Sequence, residues 1–201
     1  MDSDTIRQLW QYTPGDKNAV IELWDSMARN FGGRALPTPD DSAALALAQR
    51  EGMMDHGAAV LDVGCGAGRY SLTMAKHCRH VVGTDISPKM IGLARNMAER
   101  LDISNVDFYQ EDWDEVDIEK LGWSRKFDLV FAHMTPAVES PDTLDKLSAA
   151  SRKWCLMCKP TRRTDSVTDR LRGELGLESI RKSFDDTIMY CFGLLWAQGY
   201  L

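Results

Sequence analysis

Hydrophobic positions divide the chain into a regular centre and two irregular ends. Short segments that read as strands occupy Ala58 to Val63, His80 to Asp85, Val106 to Gln110, Phe127 to Ala132 and Trp154 to Cys158. The first, apolar with branched residues and bounded by Gly57 and Gly64, suits a strand covered on both faces. Stretches of helical periodicity separate several of them. Arg69 to His77 is one, and Ser140 to about Arg152 is another. From Ser87 to about Leu101, the residues Met90, Leu93, Ala94 and Met97 keep one apolar face. Ser87-Pro88 is a helix start, with a serine cap and proline at the first helical position. Strands alternating with helices predict an α/β domain with a parallel sheet.

The ends read differently. Before the core, Lys17 to Asn30 places Val20, Leu23, Trp24, Met27 and Phe31 on one face, and Gly32-Gly33 stops the helix. Asp41 to Arg50 is a second helix, ended by Gly52. After the fifth strand, Thr164 to Leu177 reads as helix, and Asp185 to Ala197 as a second, very apolar one. The organisation predicted is therefore an N-terminal helical segment over 1–52, a core over 53–160 and a C-terminal helical segment over 161–201. So apolar an end would leave sticky surface, which favours a homo-oligomer.

Composition narrows the class. A chain of 201 residues suits one domain, and 44% hydrophobic residues can build its core. The net charge of −6 disfavours broad electrostatic attraction to nucleic acid or an anionic membrane. Lys159-Pro-Thr-Arg-Arg163 is a local basic cluster, read as a solvated loop. No run reaches membrane-spanning length and no signal-peptide pattern opens the chain, so a cytoplasmic location is expected. Five scattered cysteines fit a reducing compartment. Cys155 and Cys158 have metal-ligand spacing. A strand would point them to opposite faces, so buried structural thiols are expected and no metal site is assigned.

The chemistry concentrates at Val60-Leu-Asp-Val-Gly-Cys-Gly-Ala-Gly-Arg69. Gly64, Gly66 and Gly68 allow a sharp turn with no Cβ to obstruct a ligand on the backbone. The helix that follows offers its first N–H groups and positive dipole end. A dinucleotide would set its pyrophosphate there, but Gly68 comes one residue too early for the usual glycine spacing. Asp62 would also add negative charge beside a phosphate. A cationic ligand removes that conflict. S-adenosylmethionine carries a sulfonium and an ammonium that suit carboxylates, and a carboxylate that suits loop N–H groups.

These residues resemble motif I of the class I S-adenosylmethionine-dependent methyltransferases, in the small-molecule, type 11/25-like branch. The family pattern D-x-S-x-x-M-x-x-x-A is similar to Asp85-Ile-Ser-Pro-Lys-Met-Ile-Gly-Leu-Ala94. The resemblance implies a Rossmann-like, doubly wound sheet. It also implies cofactor contacts at Asp62, Gly64, Cys65, Gly66, Gly68, Asp85, Ile86, Met90, Asp112, Trp113 and His133. Asp85 would accept both ribose hydroxyls, Ile86 would lie against adenine, and Asp112 would accept the adenine amine, with Glu111 as a competitor. Trp113 would offer its backbone N–H to a ring nitrogen.

His133, emptying from the fourth strand, is the candidate catalytic residue. It serves either as a general base or as packing against the cofactor. Tyr12, Trp24 and Phe31 would line an acceptor pocket beneath an N-terminal lid, or that helix simply belongs to the core. The family's sixth and seventh strands have no counterpart in the pattern: the chain is truncated, or helices replace them.

The function implied is transfer of a methyl group to a small-molecule acceptor, leaving S-adenosylhomocysteine. The reaction is an in-line displacement that mainly requires the acceptor to be held about 3–3.5 Å from the methyl carbon. An anionic nucleophile needs little base help, whereas an alcohol or ammonium needs a proton acceptor. Alternatives are a non-catalytic S-adenosylmethionine- or S-adenosylhomocysteine-binding protein acting through a partner, an NAD-dependent oxidoreductase, and nucleic-acid methylation. No Asn-Pro-Pro-Tyr or Asp-Pro-Pro-Tyr follows the fourth strand.

Overall fold

The computed structural model describes residues 2–160, 166–177 and 184–200. The five expected strands form, as β1 (Ala59–Val63), β2 (His80–Asp85), β3 (Val106–Gln110), β4 (Phe127–His133) and β5 (Ser151–Cys158). The helices are α1 (Ser3–Leu9), α2 (Lys17–Met27), α3 (Ala43–Arg50), α4 (Arg69–Ala75), α5 (Pro88–Arg100), α6 (Pro141–Ala150), α7 (Ser166–Glu174) and α8 (Phe184–Ala197). The chain divides into two compact units. One holds Thr13–Val138 and Asp142–Cys158, and the other Met1–Tyr12, Glu139–Pro141 and Lys159–Leu201.

The larger unit is built on a parallel sheet in the order β3-β2-β1-β4-β5. The order reverses between β1 and β4, so the carboxyl ends of these two strands border the crevice where open α/β sheets bind ligands. β1 and β4 are buried along their lengths apart from His133. Val60, Leu129 and Phe131 join Leu45, Ala48 and Met74 in one cluster. Leu72, Ile91, Ala94, Met97 and Phe108 form a second. Asp128 is buried at the start of β4, where it accepts from the Ala59 backbone N–H at 2.9 Å and from Arg152 at 2.8 and 2.7 Å. That network ties three strands together at the end away from the crevice.

β5 begins three residues earlier than its apolar pattern suggests, at Ser151. Arg152 and Lys153 extend it because both reach Asp128. β5 stands at the sheet edge among the described residues, and this corrects the expectation for the cysteines. Cys155 is exposed and Cys158 half-buried. They do face opposite ways: the Cys155 thiol donates to the Leu147 carbonyl, and Cys158 packs on the cluster around Met53.

In the smaller unit, α1 packs on α8. Ile6 sits over Gly193, where a Cβ would come within 2.9 Å of its Cδ1, and Trp10 stacks on Tyr190 with centroids 5.9 Å apart. α8 carries Met189, Phe192 and Trp196 exposed along one side. Arg162 and Arg163 of the basic cluster, and the start of the helix expected from Thr164, lie outside the described residues. Among those described, no strand follows β5, and no helix is long and apolar enough to cross a membrane.

Candidate active site

The glycine turn between β1 and α4 assigns different tasks to its glycines. All three have positive φ: +69° at Gly64, +55° at Gly66 and +76° at Gly68. A Cβ on Gly64 would fall 1.9 Å from Thr135 Oγ1, so this residue lets the loop touch the end of β4. At Gly68 a Cβ would meet Ala94 and Phe108 at 2.8 Å, so this one lets α4 close against α5 and β3. Gly66 is the exception. Nothing lies within 4 Å of its Cβ position, so the loop is open to a ligand at this residue alone of the three. The loop rests on β2 through the Cys65 N–H, which donates to the Thr84 carbonyl at 2.8 Å.

Two carboxylates back this loop. Asp62 is buried and accepts from Ser71 Oγ at 2.5 Å. Burial pushes its pKa up to about 7; the Ser71 hydrogen bond opposes this, and the charge of Asp85 adds to it. Asp85 accepts from the Gly66 N–H at 2.8 Å through one oxygen and from the Ser87 N–H at 2.9 Å through the other. Burial raises its pKa as well, against those two hydrogen bonds. No lysine, arginine or histidine pairs with either carboxylate among the described residues. One buried and one half-buried acid, neither paired with a cation, beside an open glycine loop suit a cationic ligand. The Cys65 thiol stays protonated, because burial and both carboxylates raise its pKa.

Next to Asp85 in sequence, Ile86 lines a cleft of about 450 Å³, with Gln110 and Asp112 after β3 and Ile21 of α2 and Leu121 among the other walls. Asp112 and Ile86 thus come together, 26 positions apart. Trp113 and Met90 are placed differently. The Trp113 ring is buried, donating to the Thr143 carbonyl at 3.1 Å. Met90 lies in a buried cluster with Ala67 and Ala28, against which Trp24, Phe31 and Leu93 pack.

His133 stands half-buried at the end of β4. Its ring lies parallel to Phe131 at 5.8 Å and 4.3 Å from the Tyr70 ring, with Nε2 3.3 Å from Tyr70 Oη. Burial lowers its pKa, so the imidazole is neutral near pH 7. Tyr70 and Ser71 both directly follow the glycine motif, yet periodicity gave them no role. Their partners are 63 and 9 positions away, and only the closed fold brings each pair together.

This arrangement has counterparts in known proteins. A family model described as a methyltransferase domain matches residues 54–169, more than half of the chain. The chain belongs to the methyltransferase domain family. Over 104 residues it is 36% identical to the 23S rRNA (uracil(1939)-C(5))-methyltransferase RlmD of Vibrio parahaemolyticus, a match covering 50% of this chain and 23% of that protein. It is 30% identical over 109 residues to the ribosomal protein L11 methyltransferase of Caldanaerobacter subterraneus, covering 53% and 33%. The chain thus spans a third or less of the length of these curated relatives.

Solved structures share the methyltransferase domain's class I, Rossmann-like fold. A SAM dependent methyltransferase from Aquifex aeolicus aligns with a TM-score of 0.51 at 19% identity, over 76% of this chain and 78% of that one. A DhpI-SAM-HEP complex aligns with a TM-score of 0.54 at 21% identity, over 86% and 76%. At such identities the likeness is one of fold.

Proposed function

We propose that this methyltransferase domain binds S-adenosylmethionine along the glycine loop and the cleft beside Ile86, and transfers its methyl group to a small-molecule acceptor beside His133. The observation that carries the reading is the pair Asp62 and Asp85. Asp62 is buried and Asp85 half-buried behind the open loop, and no described cation of the chain is paired with them. When bound, the cofactor supplies a methyl group on a sulfonium, which needs no further activation. The chain's own residues bind and orient. Asp85 holds the loop through Gly66 N–H and faces the ribose, Ile86 offers an apolar surface, and Asp112 offers an acceptor for the adenine amine. Asp62 supplies negative charge under the loop, and neutral His133 is suited to take a proton from a protic acceptor.

An RNA acceptor is the second reading, favoured by the names of the rRNA methyltransferases among the relatives. The matched segment covers 23% of the Vibrio parahaemolyticus RlmD, so acceptor recognition can lie outside the shared region. The net charge of −6 favours the small acceptor.

Calorimetric titration with S-adenosylmethionine, S-adenosylhomocysteine and NAD tests the donor assignment. The first two should bind and NAD should not; the reverse would overturn it. Affinity for S-adenosylmethionine should tighten as pH rises through 7, because the ionised form of Asp62 binds the cation. If only that form binds, the gain between about pH 6 and about pH 8 is about tenfold. Without ligand the sign is opposite. An acid whose pKa is raised in the folded state lowers folding stability as pH climbs from its ordinary range to about 7. Asp62→Asn should flatten the binding profile, and an unchanged slope in that variant would remove Asp62 as its source.

The role of His133 separates by kinetics. His133→Ala should lower turnover on an alcohol or amine acceptor by about 100- to 10,000-fold, with donor affinity within about threefold. If turnover also holds, the imidazole only packs between Tyr70 and Phe131. A broad acceptor panel yielding no methyl transfer despite tight donor binding would instead support a binding protein acting through a partner.

A further inference from the structure

The cleft beside Ile86 already holds a cation of the chain's own. Both oxygens of Asp112 are engaged: Oδ1 accepts from the Asp114 backbone N–H at 3.1 Å, and Oδ2 lies 3.1 Å from the Lys17 ammonium. The same ammonium donates to Glu115. These two acids raise the Lys17 pKa, Glu115 more than Asp112, so the side chain stays charged. Lys17 is the first residue of α2, and Asp16 caps that helix by accepting from the N–H groups of Asn18 and Ala19 at 2.8 and 3.2 Å.

α2 is fastened a second time near its other end. Asp25 accepts from Ser87 Oγ at 2.5 Å and from the Lys89 N–H at 3.3 Å. The first fastening lands on the loop after β3, which carries Asp112, and the second on the start of α5, directly after Ile86. Between them Ile21 lines the cleft. The ends of α2 are held unequally. Trp24 packs against the cluster of Ala28, Ala67 and Met90, whereas Lys17, Asn18 and Ala19 are exposed and held chiefly by the ion pairs.

We propose that Lys17 is a displaceable latch on Asp112: an adenine amine reaches Oδ2 only when the ammonium withdraws to Glu115. Ligand entry thereby releases the N-terminal end of α2 while Asp25 keeps the other end in place. This inference rests on the donor reading above. Ion pairs this exposed shift an equilibrium by only about two- to fivefold. The latch is therefore light enough to open at each binding event, and strong enough to keep α2 over an empty cleft.

The probes are S-adenosylhomocysteine and its 6-oxo analogue S-inosylhomocysteine, which lacks the amine, titrated calorimetrically into the full chain. Lys17→Met should bind S-adenosylhomocysteine about two- to fivefold more tightly than the wild type, with no gain for the 6-oxo analogue. Glu115→Gln removes the alternative seat of the ammonium and should weaken S-adenosylhomocysteine binding. The latch is overturned if Lys17→Met leaves S-adenosylhomocysteine affinity unchanged, weakens it, or improves both ligands equally. A wild-type chain that binds neither ligand overturns the donor reading itself. A wild type that binds normally, with an indifferent Lys17 variant, overturns the latch alone.

Discussion

Gly64→Ala is expected to lower folding stability by about 2–5 kcal/mol, the sum of a left-handed backbone cost and overpacking. The new Cβ would sit 1.9 Å from Thr135 Oγ1 and 2.6 Å from Thr135 Cβ, and φ is +69°, so neither rotation nor a small shift relieves it. For a chain of this length, each kcal/mol moves Tm by about 2–4 °C. Urea and thermal unfolding of wild type and variant measure the difference. A loss below about 1 kcal/mol would mean that Thr135 yields, and that the loop does not depend on close approach to β4.

Gly66→Ala is the informative control. Its Cβ meets no atom within 4 Å, so it should cost about 1 kcal/mol through φ alone, while obstructing the ligand face of the loop.

Asp85→Ala is expected to weaken S-adenosylmethionine binding by about 2–4 kcal/mol, or about 30- to 1000-fold. Two losses combine. The ribose would lose its carboxylate acceptor, and the Gly66 and Ser87 N–H groups would lose the oxygens that hold them at 2.8 and 2.9 Å. The Gly66 bond spans 19 positions and sets the height of the open part of the loop. Asp85→Asn retains one acceptor oxygen and should fall between wild type and alanine. A dissociation constant within about threefold of wild type for Asp85→Ala would remove this carboxylate from the site, since even one charge-assisted hydrogen bond exceeds that.

Much of the core was legible in the chain because its cues are local. β2 and β3 run over the residues that their apolar patterns mark. The Ser87-Pro88 start of α5 is realised, with Ser87 Oγ accepting from the Met90 N–H at 3.1 Å. The glycine loop was legible for the same reason. Positive φ, absence of a Cβ and a flanking acid are properties of adjacent residues. What failed locally failed at the edge. The exposed Cys155 and the early start of β5 depend on Asp128, which lies in another strand and draws Arg152 and Lys153 into line.

The sequence by itself determined that this chain builds a parallel α/β core, that a glycine turn backed by acids closes β1, and that the motif is that of a methyltransferase. Each rests on periodicity or on residues a few positions apart, where the covalent chain alone limits the geometry. Only the tertiary structure decided which glycine opens to a ligand, which acids lack a cation, and what surrounds His133. It alone brought Lys17 to Asp112, Ser71 to Asp62 and Tyr70 to His133. The reason is physical: burial, desolvation and charge pairing arise between side chains that packing brings together, and no local pattern encodes which ones those are.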